Sequence, residues 1–272
     1  MRNIKTISIN NAQVANYRTV ANVSSSINSI DINQATGDFI TTIPSNNSVL
    51  IYAQSNNSFI NSNNLMSNNQ YTMTDLGVFG SLNYPLDARF DSIRGKLWIV
   101  DNGNNRIARI NYSTLVADFI QNINYPISLV ININDGSAFI RSFNKLTNMG
   151  NITFYSYSGI VNDYLSFNDI VTYSTGRSYL MTFDFKRNRL WFTREYYSYD
   201  TLVDMWDLKN HQISELSIIN ETNMHIRATS IDIDLDSGNA ILSGKTNSGS
   251  YLFQLFRDNN AVISTTYLPV GS

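Results

Sequence analysis

Residues 97 to 110 read Leu97-Trp-Ile-Val-Asp101-Asn-Gly103-Asn-Asn105-Arg106-Ile-Ala-Arg-Ile110. Two mostly apolar runs flank a short polar segment built of Asp, Asn and Gly, the composition of a strand, a tight turn and a returning strand. Gly103 permits a backbone with positive φ, Asp101 can accept hydrogen bonds from turn amides, and Arg106 is spaced to reach back to a carboxylate. With Asn105 these residues form a motif that holds a hairpin together, and nearby charges of this kind most often make structural pairs rather than catalytic ones.

Working outward, the same order of strand, Asp- or Asn-ending turn, apolar strand, polar loop and third strand recurs five times. The segments are 29–33, 37–43 and 48–52; 88–91, 95–100 and 106–110; 129–133, 137–140 and 152–155; 182–185, 189–192 and 202–206; and 230–234, 238–242 and 251–256. The first turns fall at Gly37, Gly95, Gly136, Asn188 and Gly238, spaced 41 to 58 residues apart. A further strand follows the third, as at 76–79 and 262–267. Four antiparallel strands repeated at this spacing describe the blades of a β-propeller. The expectation is an all-β single domain over 1–272, with blades at 24–80, 81–123, 124–170, 171–222 and 223–268. A spare strand pair at 1–23 leaves five or six blades open. The phrases Asn83-Tyr84-Pro85 and Asn124-Tyr125-Pro126 mark crossings between blades, where Pro need not donate to a ladder. The Asn- and Ser-rich stretch 54–74 reads as a long surface loop.

The second unit resembles the NHL repeat, in which an apolar strand, an Asp and a small polar loop precede Asn-Arg-Ile, here Asn105-Arg106-Ile107. The first unit keeps Asn47 of that pattern, and the other three follow by period rather than by residue. The resemblance implies a propeller. It also implies, as one alternative, a lactonase- or lyase-like enzyme with a divalent cation in the central channel.

The chain tests that alternative by its residues. It has no Cys and two His, so thiolate chemistry and a three-His zinc site are excluded by counting. No Gly-x-Ser-x-Gly elbow, phosphate loop or zincin motif is present. No cofactor is expected, and the exception kept open is calcium on oxygen ligands, for which the recurring Asp31, Asp91, Asp184 and Asp232 are the candidates. A repeated turn would select Asp at the same places. No catalytic residue is assigned.

Of 272 residues, 43% are apolar, 12% aromatic and 15% charged, with a net charge of −2. This suits a packed globular protein and argues against sequence-independent nucleic-acid binding, which needs an excess of Lys and Arg. No apolar run matches a secretory signal or a membrane span. The expectation is cytoplasmic synthesis without membrane insertion. Aromatics crowd the third and fourth units, and Tyr196, Tyr197 and Tyr199 with the basic Arg187 and Arg189 are the candidate rim contacts. A protein partner or a second copy of the chain is the expected ligand, with carbohydrate as a further alternative. The Asn- and Ile-rich, cysteine-free composition suits a component of a virus or phage particle.

Overall fold

The computed structural model describes residues 2–6, 9–10, 13–14, 18–23, 28–33, 38–53, 58–61, 82–144, 146–147, 149–168, 179–196, 200–216, 226–246, 251–256 and 262–268. Among them there is no α-helix, and strands carry the architecture. The chain divides into two compact units, Met1–Pro126 and Ile127–Ser272.

In the first unit, β1 (Arg2–Thr6) pairs antiparallel with β4 (Arg18–Val23), and β2 (Ile9–Asn10) with β3 (Gln13–Val14). Two four-stranded meanders follow. One runs β5 (Ser29–Ile32), β6 (Phe39–Ile43), β7 (Ser48–Ala53) and β8 (Ser58–Asn61). The next runs β9 (Pro85–Asp91), β10 (Lys96–Asp101), β11 (Arg106–Asn111) and β12 (Ala117–Asn122). Pro85 opens its strand, where its missing N–H costs no ladder bond.

The stretch 54–74 read as a loop, yet β8 lies inside it and pairs with β7 from Leu50↔Asn61 to Ala53↔Ser58. Ser58-Phe-Ile-Asn61 is too short and polar to declare itself, and the open edge of β7 supplies the partner that makes it a strand. Residues 76–79, read as the fourth strand of this unit, lie outside the described residues.

Three meanders of the same order make up the second unit, the first of them opening on the boundary residue Pro126. They are β13 (Pro126–Ile131), β14 (Ala138–Asn144), β15 (Met149–Tyr155) and β16 (Val161–Asn168); β17 (Met181–Asp184), β18 (Arg189–Tyr196), β19 (Asp200–Asp207) and β20 (Gln212–Leu216); and β21 (Ile226–Ile233), β22 (Ala240–Thr246), β23 (Tyr251–Phe256) and β24 (Val262–Leu268).

Cores form where neighbouring sheets stack. Ile40, Val49 and Ile51 of the first sheet meet Phe90, Leu97 and Ile99 of the second. In the second unit, Leu190 and Phe192 pack with Phe139, Ile152 and Phe167 of the sheet before. Trp191 points the other way, against Ala228, Ala240 and Leu242 of the sheet after. Strand period two therefore sends alternate residues of β18 into two different cores, which is why Leu190-Trp-Phe192 is a continuous apolar run.

Candidate functional site

Asp101 ends β10 with no solvent exposure, and its carboxylate gathers three donors. Its Oδ1 accepts the Asn83 backbone N–H at 2.8 Å, and its Oδ2 accepts Arg106 Nε at 2.7 Å and Asn104 Nδ2 at 2.8 Å. A short 3-10 turn, Asn102–Asn104, follows and ends on Asn105 in the left-handed region at φ 52°.

The turn grips a linker at each end. Gly103 donates its N–H to Asn83 O at 2.8 Å, and a Cβ on Gly103 would stand 2.6 Å from Asn83 Cγ, so only glycine fits this approach. Asn102 Nδ2 donates to Pro126 O at 2.8 Å, and the Tyr125 N–H donates to Asn105 Oδ1 at 3.0 Å. The first sheet repeats the last contact: Asn47, left-handed at φ 50°, accepts the Tyr84 N–H on Oδ1 at 2.8 Å. Tyr84 and Tyr125 are themselves left-handed, at φ 52° and 46°. The motif thus acts on the inter-blade linkers as well as on its own hairpin.

The recurring Asp residues occupy first turns and first strands. Asp91 is fully buried, binds Arg94 Nη1 at 3.2 Å and accepts the Arg94 N–H. Asp184, also fully buried, binds Arg187 Nη1 at 3.1 Å and accepts the amides of Lys186 and Arg187. Asp31 accepts the Phe90 N–H of β9 at 2.6 Å, and Arg89, paired with Asp87 at 3.2 Å, lies nearby. Burial pushes the Asp31 carboxyl up, and Arg89 and the Phe90 amide offset this in part. Asp232 is exposed and accepts the N–H of its neighbour Ile233. Among the described residues no three His, Cys, Asp or Glu side chains converge as ligands of one ion.

Arg187 reaches beyond its own turn. Its guanidinium donates to Leu235 O at 3.2 Å and Asp236 O at 2.9 Å in the next sheet's first turn, while Lys186 binds Asp236 at 2.6 Å. Protein cations therefore sit on the carbonyl and carboxylate oxygens of that turn. Arg189 opens β18 opposite Asp184 and Asp207 in register. Tyr196 ends β18, and its side chain, like Tyr197 and Tyr199 entirely, lies outside what is described.

Other exposed groups escaped the sequence reading. Ile160, Val161 and Tyr164, exposed by 65%, 52% and 54%, stand on or just before the outer strand β16. His211 Nδ1 lies 2.9 Å from Asp163 Oδ2, which brings the turn before β20 beside β16, and Ile213 on β20 is also exposed. Alternating polarity in β16 signals a half-buried strand and says nothing about which neighbour covers its outer face. Tyr84 and Tyr125 did carry a signal, the repeated Asn-Tyr-Pro phrase, which reads only as a linker until the backbone is seen.

No family model matches the chain, and no curated protein matches it. Solved structures do. A chain of the crystal structure of a nidogen/laminin complex superposes with a TM-score of 0.65 at 10% identity, covering 98% of this chain and 90% of that one. Hydrazine synthase of Kuenenia stuttgartiensis superposes with a TM-score of 0.60 at 10% identity, covering 94% and 70%. The fold that the meanders and these likenesses define is an all-β propeller of four-stranded antiparallel sheets. Among the described residues no helix is long and apolar enough to cross a membrane.

Proposed function

We propose that the chain is a non-enzymatic propeller module that binds a protein partner or a second copy of itself through its outer strands. The observation that carries this reading is the exposed apolar group Ile160, Val161 and Tyr164 at β16, with Ile213 on the strand that His211 and Asp163 draw alongside. Apolar side chains exposed together on an outer strand are a common mark of association. The described motif carboxylates point the same way, because Asp91, Asp101 and Asp184 are paired within turns. One structure that shares the fold is a chain of a protein complex, which agrees with a binding role.

The finer parts of the reading belong to the same proposal. They are a single propeller domain over 1–272 with blade borders near 24, 81, 124, 171 and 223, and an NHL-type repeat at 97–110. An assembly such as a virus or phage particle is the proposed setting, on grounds of composition. Cross-linking of the intact protein in its source material, followed by mass spectrometry, tests the reading. Val161→Glu and Tyr164→Glu should abolish the cross-linked contact and leave the melting temperature in place. Unchanged cross-links in both variants, or a wild-type protein that cross-links to nothing, would overturn it.

A further inference from the structure

We propose that the turn 102–105 and the two linkers it bridges form a binding site for a neutral oligosaccharide, with Tyr84 and Tyr125 as its aromatic platforms. This stands apart from the protein-binding reading, and the two are tested by different residues.

The first support is backbone conformation at two equivalent places. A tyrosine at positive φ is uncommon, because its Cβ crowds the following carbonyl. Here two occur, at φ 52° and 46°, in successive linkers, and each is held by the side-chain oxygen of a left-handed Asn. Such conformations persist where the surroundings over-determine them and often present a functional side chain. Both linkers border the same turn: Gly103 holds Asn83 beside one tyrosine, and Asn105 holds the other. Tyr84 is 48% exposed, and Tyr125 is half-buried.

The second support is the chemistry of the surrounding surface. Asn47, Asn83, Gly103, Asn105 and Asn124 are exposed around these tyrosines. Within 44–48, 82–86, 102–106 and 122–126 the sole charged residue is Arg106, which is buried against Asp101. Nucleic acid and phosphorylated peptides require exposed Lys or Arg to meet phosphate, and none is present in these stretches. A neutral polyol asks for what is there: flat aromatic faces for its C–H surface, and amides that donate and accept for its hydroxyls. Asn47 and Asn105 give their oxygens to the linker amides, which leaves an NH2 donor on each. Because the turn and linkers are bonded to one another in advance, a ligand would meet a surface already ordered.

The test is a panel of uncharged gluco-, galacto- and manno-oligosaccharides on an array, with any hit followed by saturation-transfer NMR and titration calorimetry. Tyr84→Asn and Tyr125→Asn are the informative variants, since Asn tolerates the left-handed backbone and removes only the ring. Each should weaken binding by about tenfold or more with no loss of melting temperature, and Tyr164→Glu should leave it unchanged. No hit among neutral sugars, binding confined to charged glycans, or binding that survives both Asn variants would overturn the proposal.

Discussion

At the scale of single residues, two glycines at equivalent first turns separate backbone strain from packing. Gly95 has φ +59° with nothing near its missing Cβ, whereas at Gly238, φ +78°, a Cβ would stand 2.6 Å from Arg187 Cζ. That guanidinium cannot move aside freely, because it is bonded to Asp184, Leu235 O and Asp236 O. Gly95→Ala should therefore cost about 1–2 kcal/mol, the ordinary penalty for a left-handed alanine. Gly238→Ala should cost roughly 1–3 kcal/mol more, as overpacking does. Urea denaturation of the two variants checks the difference, and equal losses would mean that Arg187 contributes nothing across this contact. The turn glycines were legible in the sequence, because a turn is a local event. The reach of Arg187 into a turn 48 residues away was not, since nothing local records it.

At the scale of elements, the sheet β9 to β12 is tied laterally by one carboxylate. Asp118 on β12 binds Lys96 Nζ of β10 at 2.6 Å and Arg109 Nε of β11 at 2.7 Å. Burial pushes the Asp118 carboxyl up, but the hydrogen bonds and charges of Lys96 and Arg109 outweigh it and hold the group below its usual range. A carboxyl lowered in the folded state stabilises fully above its unfolded value of about 3.9, and that contribution is lost as pH falls through the folded value. Asp118 is partly exposed, so Asp118→Asn should cost only about 0.5–1 kcal/mol at pH 7. The gap to wild type should narrow as pH falls from the unfolded value through the lower folded one, and urea midpoints at pH 7 and along an acid series measure it. Elements themselves were readable wherever a short apolar run was bounded by turn residues, as in β10, β14 and β18. β8 was hidden because four residues in an Asn-rich tract become a strand only when a neighbour's edge is offered.

At the scale of the whole molecule, the repeat order in the sequence and the meanders of the structure agree on a propeller, and the likeness to solved structures covers 98% of the chain. Function was less legible. The conspicuous motif, Asp101 to Arg106, draws the eye because it is charged, and those charges are paired on a turn and a linker. The surfaces that carry the proposed functions are not marked by a charged motif: they are a linker phrase of Asn-Tyr-Pro and an outer strand whose exposed face depends on its neighbours. Amide hydrogen exchange, measured on the free protein and on the protein bound to its cross-linked partner, tests the binding account most directly. The account predicts new protection in peptides covering 156–168 and 209–216, with the first strands of the sheets unchanged. Protection concentrated instead at 29–33 and 85–91, where Asp31, Asp87 and Arg89 lie, would contradict it and favour a ligand held by the first strands.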